Sequence, residues 1–159
     1  MRKIRNPFRE SNNGSYLCFG CSPANRIGLK MEFWDNGDEI IAHWMPDKEY
    51  QGFHDVLHGG IQATLMDEAA SWLIFSKYGT AGVTSEMHVK YLRPVAISAG
   101  KIIISARMPS EKKRILTIDC KISDGKGNIC ATGQVSYFLF PEKIAREKFG
   151  YPGKEEFSG

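Results

Sequence analysis

Residues 28–45 show the hydrophobic alternation of a β-hairpin. Leu29, Met31 and Phe33 alternate with charged residues, so one side of this segment is expected to be buried and the other solvated. A second strand-like run follows the sequence Asp-Asn-Gly-Asp at residues 35–38, where Asn-Gly supplies the positive φ that a tight turn requires. The pattern therefore predicts two antiparallel strands joined by a tight turn.

The next segment, from residue 61 to about residue 77, favours a helix. Apolar residues recur every four positions, at Ile61, Leu65, Ala69 and Leu73. Gly79 stands where such a helix is expected to end. Because apolar residues cover most of the circumference, we expect this helix to lie inside the protein, surrounded by other elements.

Four strand-like runs follow the helix, over residues 83–92, 101–108, 115–123 and 129–140. Turn residues separate these runs, including Arg93-Pro94 and the sequence DGKGN. With the hairpin, the pattern predicts about six strands and one long helix. Short antiparallel connections favour an α+β fold in which a curved antiparallel sheet wraps around the helix.

The length of 159 residues, 42% of them hydrophobic, suits one packed core and is too short for two ordinary domains. We expect an N-terminal arm over residues 1–27, the main domain over residues 28–140, and a C-terminal tail over residues 141–159 in which a short helix can form before the chain frays.

Composition and charge narrow the class of function. The basic N-terminus lacks the apolar run of a signal peptide, and no segment approaches the roughly 18 apolar residues of a membrane span. A net charge of +3 falls short of the clustered positive charge of a nucleic-acid-binding protein, yet permits an anionic small ligand. We therefore expect a soluble cytoplasmic protein with neither a nucleic acid nor a membrane as partner.

The four cysteines are expected to be reduced thiols, because a core of this size does not need disulfides. Cys18 and Cys21 nevertheless have the spacing of metal ligands, and His54 and His58 could complete a tetrahedral zinc site. A single Cys-x-x-Cys pair is a weak indicator, and a thioredoxin-like role is weaker still because no βαβ unit follows the pair. We therefore expect no metal.

Two glycines, Gly59 and Gly60, follow His58 where the helix is expected to begin, and Asp67 lies nine residues after the histidine. The first N–H groups of a helix have no partner within the helix, and the helix dipole favours negative charge near them. Glycine lets a ligand approach these donors closely. The segment is therefore suited to binding an oxygen atom that gathers negative charge.

A polar stripe interrupts the otherwise apolar helix, with the helical spacing i, i+3, i+4, i+7. It consists of Thr64, Asp67, Glu68 and Ser71. A helix enclosed by strands has little free surface, so we expect the stripe to face a cleft or a partner chain. Asp67 and Glu68 diverge by about 100° and can rarely reach the same site.

The stretches HGGIQATLMDEAA and TSEMHVKYLRPV, with the strands after them, resemble hotdog-fold thioesterases of the phenylacetate-degradation type, a group related to 4-hydroxybenzoyl-CoA thioesterases. The resemblance covers residues 28–140. It implies a central helix within a curved sheet, dimerisation through edge strands, and hydrolysis of acyl-CoA thioesters without a metal or redox cofactor.

The resemblance also implies roles for particular residues. The backbone N–H of Gly59 polarises the thioester carbonyl, and Asp67, which the family position selects over Glu68, acts as general base or nucleophile. Thr84 falls where some relatives position the attacking water, and His58 orients the loop and the ligand.

Substrate binding is expected from a further set of residues around the site. Gly60 and Glu68 are the sequence neighbours of Gly59 and Asp67. Lys90 and Arg93 can bind the phosphates of coenzyme A. The basic turn at Lys112, Lys113 and Arg114 can do the same. Glu68 has the alternatives of pairing with a base or facing solvent.

Helix geometry predicts that two chains share each site. Gly59 and Asp67 are eight residues apart, which places their backbones about 12 Å apart along one helix. A base and an oxyanion donor must converge on one small reacting centre, so a second, antiparallel helix is expected to supply one of them. The active species is then a homodimer, or a dimer of dimers in a homotetramer.

Two other classes of function remain open. A hotdog dehydratase or hydratase would act on acyl thioesters without releasing CoA, although the spacing from His58 to Asp67 fits hydrolysis better. A non-catalytic acyl-CoA-binding protein could use the same fold, since a fold does not determine a function.

Overall fold

The computed structural model describes residues 1–9, 15–109 and 114–159. Within these ranges the elements are β1 Arg2–Lys3, β2 Trp34–Asp35, β3 Glu39–Trp44, α1 Gly59–Leu73, β4 Gly82–Tyr91, β5 Ile102–Arg107, β6 Ile115–Ser123, β7 Ile129–Leu139 and α2 Glu142–Phe149. The strands form one antiparallel sheet in the order β1-β2-β3-β5-β6-β7-β4. This confirms the predicted hotdog architecture, with β1 as a seventh strand that the pattern did not reveal.

The long helix α1 packs against β3, β4, β5, β6 and β7. Leu65, Ala69 and Leu73 are fully buried, as their four-residue spacing predicts. A π-helical turn, Ile74–Tyr78, continues the helix, and Gly79 ends it with a left-handed φ of 68°. The periodicity therefore identified the helix and its end, while the start lies two residues earlier than predicted.

The turn of the predicted hairpin is confirmed. Gly37 has a φ of 76°, and the N–H of Asn36 donates to the carbonyl of Glu39 at 2.9 Å. The hairpin beyond this turn is short, because β2 has only two residues that pair with β3.

The prediction of the first strand of the hairpin is wrong over most of its length, because from residue 28 to the turn only Trp34–Asp35 forms a strand. Leu29 and Met31 are buried as the alternation requires, but their N–H groups donate to the carbonyls of Phe19 and Gly20, at 2.8 and 2.9 Å. Lys30 between them has a φ of 52°, which is incompatible with extended backbone. The segment therefore pairs with a loop of the N-terminal arm and not with the sheet.

The N-terminal arm and the C-terminal tail both pack near the C-terminal half of α1. Phe8 of the arm stacks on Tyr16 at 4.7 Å and meets the edge of Trp72. Phe157 of the tail stacks on Phe75 at 5.8 Å and is itself buried. The expected short helix of the tail is α2, and the buried Phe157 shows that the tail stays packed beyond it.

Strand β4 lies at one edge of the sheet and is mostly exposed along its ten residues. The apolar Val83 and Tyr91 are 45% and 52% exposed. A long edge strand with unpaired backbone groups and exposed apolar side chains is suited to pairing with another chain. None of the helices in the described ranges combines the length and the apolar character needed to cross a lipid bilayer.

Candidate active site

His58 caps the N-terminus of α1. The ring atom Nδ1 accepts the backbone N–H of Gly60 at 2.9 Å. The backbone N–H of His58 donates to the carbonyl of Tyr50 at the same distance. A Cβ atom on Gly60 would lie 3.1 Å from the imidazole, so a glycine leaves room for the cap. A ring that accepts at Nδ1 carries its proton on Nε2, and the cap orients this exposed side chain.

Gly59 occupies the first position of α1. Within the described residues, nothing accepts its N–H, whereas its carbonyl accepts the hydroxyl of Tyr91 at 2.7 Å. A Cβ atom on Gly59 would lie 3.3 Å from the Tyr91 ring. The glycine therefore permits a close approach at the helix start and leaves a backbone donor available there.

Two hydroxyl groups hold the carboxylate of Asp67. Oδ1 accepts from Thr84 Oγ1 at 2.8 Å and from the Tyr137 hydroxyl at 2.5 Å, and the same hydroxyl lies 2.6 Å from the carbonyl oxygen of Asp67. Ser71 Oγ lies 3.3 Å from the Tyr137 hydroxyl. Both side-chain hydrogen bonds of the carboxylate engage Oδ1, and within the described ranges Oδ2 has no hydrogen-bond partner.

Strand register places Thr84 and Tyr137 on the same side of the sheet. The two residues are direct partners across β4 and β7, and side chains of such a pair lie side by side. A bulge at Ser85 shifts the register between Thr84 and Glu86. The pairing and the bulge together aim Thr84 at α1.

Tyr137 is a site residue that the sequence analysis missed. Burial raises the pKa of its phenol, and the negative charge of Asp67 raises it further, so Tyr137 stays a neutral donor. It occupies an inward position of β7, between the buried Val135 and Leu139. A tyrosine in that position needs a partner for its hydroxyl, and this was the signal that could have identified it.

The residues of the predicted polar stripe face different parts of the structure. Thr64 Oγ1 donates back to the carbonyl of Gly60 at 2.9 Å, while Asp67 and Ser71 face Tyr137. Glu68 instead contacts Cys18 Sγ at 3.3 Å and Trp72 Nε1 at 3.1 Å. The expectation of one stripe facing one cleft is therefore wrong, because Glu68 lies against the N-terminal arm.

The carboxylate of Glu68 is enclosed, although the residue as a whole keeps some exposure. Burial raises the pKa of Glu68 to about 8, and the neighbouring Cys18 contributes to this shift. No ion pair of Glu68 occurs among the described residues.

Of the basic residues expected to meet a phosphate, the described Lys90, Arg93 and Arg114 make no hydrogen bond or ion pair with Gly59 or Asp67. Lys90 lies beside His88, Arg107 and Lys121 in a groove of about 600 Å³. The backbone N–H of Arg93 donates to Cys130, just beyond β4. Arg114 lies 4.8 Å from the centre of the Phe138 ring, and Lys112 and Lys113 fall outside the described residues.

A shallow pocket of about 350 Å³ opens at the N-terminal end of α1. Its lining includes His58, Gly60 and Thr64, but not Asp67. Gly59 and Asp67 lie on the same helix, eight residues apart, so their backbones are separated by about 12 Å. One chain therefore presents an available N–H at one end of α1 and an oriented carboxylate farther along it.

Comparison with known proteins identifies the family. Residues 54–131 match the sequence profile of the thioesterase superfamily. A Saccharolobus solfataricus protein named as a candidate esterase is 30% identical over 119 residues, which cover 74% of this chain and 77% of that protein. Human acyl-coenzyme A thioesterase 13 is 24% identical over 98 residues, covering 60% of this chain and 69% of the human protein. The chain belongs to the thioesterase superfamily.

Solved structures agree on the fold. A thioesterase-superfamily protein superposes with a TM-score of 0.67 at 21% identity, covering 75% of this chain and 58% of the other, so the match spans little more than half of that protein. The protein smu.793 of Streptococcus mutans, solved with acetyl-CoA, gives a TM-score of 0.63 at 17% identity and covers 70% of this chain and 90% of its own.

The cap formed by His58 leads to a prediction about stability. We expect His58→Ala to lower the free energy of unfolding by about 1 kcal/mol, because the N–H of Gly60 loses its acceptor, whereas His58→Asn keeps the cap. Denaturant unfolding of both variants measures the difference. Equal losses in the two variants would show that the cap contributes nothing.

Proposed function

We propose that the protein hydrolyses an acyl-CoA thioester to free CoA and a carboxylic acid. The observation that carries this proposal is the Asp67 carboxylate, held by Thr84 and Tyr137 on the helix that begins with the available N–H of Gly59. The superfamily supports it, as do one relative named as an acyl-CoA thioesterase and one structural neighbour solved with acetyl-CoA.

The N–H of Gly59 is suited to the oxyanion that forms when a thioester is attacked. Charge develops on the carbonyl oxygen in the transition state, and a fixed backbone donor stabilises it without having to reorganise. The dipole of α1 adds favourable potential at the same end. His58 and Gly60 shape this end of the site, since the cap fixes the first turn of the helix.

Asp67 is suited to accept a proton from water. Thr84 and Tyr137 occupy Oδ1 and fix the carboxylate plane, so Oδ2 can receive the proton while the water oxygen bonds to the carbonyl carbon. The carbon–sulfur bond then breaks, and the proton passes to the leaving thiolate. Direct attack by Oδ2 on the carbonyl carbon, with an anhydride hydrolysed afterwards, is the alternative sequence of steps. Neither sequence needs a metal or redox cofactor.

Each site is proposed to lie between two chains. Gly59 and Asp67 of one helix are too far apart to hold one carbonyl group, whereas an antiparallel helix across a twofold axis can bring its Asp67 to the first chain's Gly59. The exposed edge strand β4 carries Thr84 and Tyr91, which contact these two residues, so pairing of two β4 strands would place both ends of the site at the interface. A dimer of such dimers is compatible with this arrangement.

We propose Arg93 and Lys90 for the phosphates of coenzyme A. Arg93 follows the end of β4 near Tyr91, and Lys90 lies in the groove described above. Glu68 is not part of this proposal, because its carboxylate contacts Cys18 and Trp72. A cytoplasmic location fits the four free cysteines and a CoA ester as substrate.

Incubation of the pure protein with a panel of acyl-CoAs and a thiol reagent tests the reaction class. Release of free CoA supports hydrolysis. Hydration or dehydration of the acyl group without CoA release would contradict hydrolysis and identify a hydratase or dehydratase. Saturable binding without turnover would contradict it too, and would identify a non-catalytic acyl-CoA sensor.

Loss of the Asp67 carboxylate is expected to abolish most activity. Asp67→Asn keeps the side-chain size and should fold, but we expect kcat to fall by about 10²-fold or more with little change in KM, the scale for losing a general base. Steady-state kinetics with unfolding curves measure both effects. Near wild-type turnover in the folded variant would exclude Asp67, and a comparable loss confined to Glu68→Gln would assign the role to that neighbour.

Tyr137 is expected to act by positioning Asp67. Tyr137→Phe removes only the hydroxyl, and we expect kcat to fall about 10-fold, the scale of one hydrogen bond, while KM stays unchanged. Tyr151→Phe is the matched control, because its hydroxyl donates to the Phe75 carbonyl far from Asp67. Equal kcat losses in the two variants would show a general effect on packing and contradict the positioning role.

Mixed dimers test whether the site is shared. Gly59→Pro removes the N–H at a helix position that tolerates proline. The added ring would lie close to Tyr91, whose half-exposed side chain has room to move aside. We expect this variant and Asp67→Asn to be inactive as homodimers. After refolding as an equal mixture, half the dimers should be mixed with one intact site each, so activity should return to roughly a quarter of wild type.

The controls of that experiment are the folding of each homodimer and the formation of mixed dimers, followed with different affinity tags. If mixed dimers form and no activity returns, both groups belong to one chain and the shared-site arrangement is excluded.

A further inference from the structure

A second cluster of reactive side chains lies on another side of α1. The ligand atoms of Cys18, Cys21 and Glu68 all lie within 4.8 Å of one another, and Cys18 Sγ is 3.3 Å from Glu68 Oε1. Among the described residues, no other group of three histidine, cysteine or acidic side chains comes together in this way. The ligand set considered from the sequence, which paired the cysteines with His54 and His58, is therefore replaced by one that contains Glu68.

The loop that carries the two thiols is held firmly. The N–H of Ser22 donates to the carbonyl of Cys18 at 3.1 Å and closes a turn around the pair. The carbonyls of Phe19 and Gly20, between the cysteines, accept the N–H groups of residues 29 and 31. Both sulfur atoms thus project from a fixed turn towards α1.

Gly20 allows the carboxylate of Glu68 to lie against this turn. A Cβ atom at position 20 would lie 2.5 Å from the carboxyl carbon and Oε2 of Glu68, a distance that real side chains do not adopt. The backbone of the turn and the carboxylate are therefore in direct contact, and Glu68 presents its oxygens to the same turn that carries the two thiols.

Among the described residues, Glu68 forms no ion pair with a positively charged side chain. Besides the backbone at Gly20, its carboxylate lies against the Cys18 and Cys21 thiols and Trp72 Nε1, none of which carries a positive charge. A carboxylate withdrawn from water is costly unless a cation or several donors compensate it. A divalent ion between the carboxylate and the two sulfurs would supply that charge.

We propose that Cys18, Cys21 and Glu68 bind one divalent metal ion of the zinc class. Zinc binds thiolate at about 2.3 Å and carboxylate at about 2.0–2.2 Å, so tetrahedral ligand atoms lie about 3.5–3.8 Å apart. Because the three atoms already lie within 4.8 Å of one another, displacements of about 1 Å would bring them to these separations. Thiolate ligands favour zinc over magnesium or calcium, and a water molecule on the side of the half-buried Cys18 would complete the tetrahedron.

The ion would act on structure and not on hydrolysis. Asp67 and Glu68 leave α1 about 100° apart, and Asp67 contacts Thr84 and Tyr137 on the sheet. Glu68 is the point at which the metal would join α1 to the N-terminal arm. Binding of the ion to the folded state alone would therefore stabilise the packing of the arm on the helix.

Metal titration of the whole protein tests the proposal. The protein is purified under reducing conditions, treated with a chelator, dialysed, and titrated with Zn²⁺ and separately with Co²⁺. We expect one ion per chain, a sulfur-to-cobalt charge-transfer absorption, and a Tm that rises with Zn²⁺ concentration. The absence of saturable binding to the reduced protein would overturn the proposal, as would recovery of Cys18 and Cys21 as a disulfide under these conditions.

Variants assign the ligands. Cys18→Ser and Glu68→Gln each preserve side-chain size, and each should weaken Zn²⁺ binding by at least about 10-fold, with the Co²⁺ absorption reduced in Cys18→Ser. Cys130→Ser is the matched control, a buried cysteine whose thiol donates to the carbonyl of Asn128, and it should bind as wild type does. Wild-type affinity in both Cys18→Ser and Glu68→Gln would show that the ion binds elsewhere.

Discussion

Enclosure of α1 by the sheet is the constraint on which the rest of the structure depends. Where the sheet covers the helix, a polar side chain is stable only with a hydrogen-bond partner within the protein. Asp67 accepts from two hydroxyls of the sheet, and Glu68 contacts a thiol and an indole N–H. The amide nitrogen of Gln62 donates to the carbonyl of Leu57, while its buried Oε1 has no hydrogen-bond partner among the described residues. The same enclosure that builds the core therefore fixes the direction of each reactive group.

The family match covers the side of α1 that carries Asp67, but not the part of the arm that contacts Glu68. The matched residues, 54–131, include α1, β4 and β6, and with them Gly59, Asp67 and Thr84. The arm with Cys18 and Cys21 lies outside that range, although its turn contacts the same helix. The match to the family profile therefore does not account for the thiol cluster.

Periodicity predicted the elements whose environment is uniform along their length. The four-residue spacing on α1 and the alternation in β6 and the second half of β7 follow directly from burial on one side, and the boundaries agree to within one or two residues. The segment around Lys30 shows the same alternation without being a strand, because a distant loop takes its backbone hydrogen bonds. The inward position of Tyr137 could be read from its strand, but its pairing with Asp67 could not, and neither could the partners of Glu68, since only the folded chain brings residues 67 and 137, or 68 and 18, together.

The bulge at Ser85 has a consequence for both ends of the site at once. Thr84 and Tyr91 are seven positions apart, and on a regular strand an odd separation puts two side chains on opposite faces. The extra residue changes the phase, so Thr84 reaches Asp67 while Tyr91 reaches the carbonyl of Gly59. A single inserted residue thereby allows one strand to contact both the Asp67 carboxylate and the first residue of α1. Without it, Thr84 and Tyr91 would lie on opposite faces of the strand, and only one of the two contacts could form.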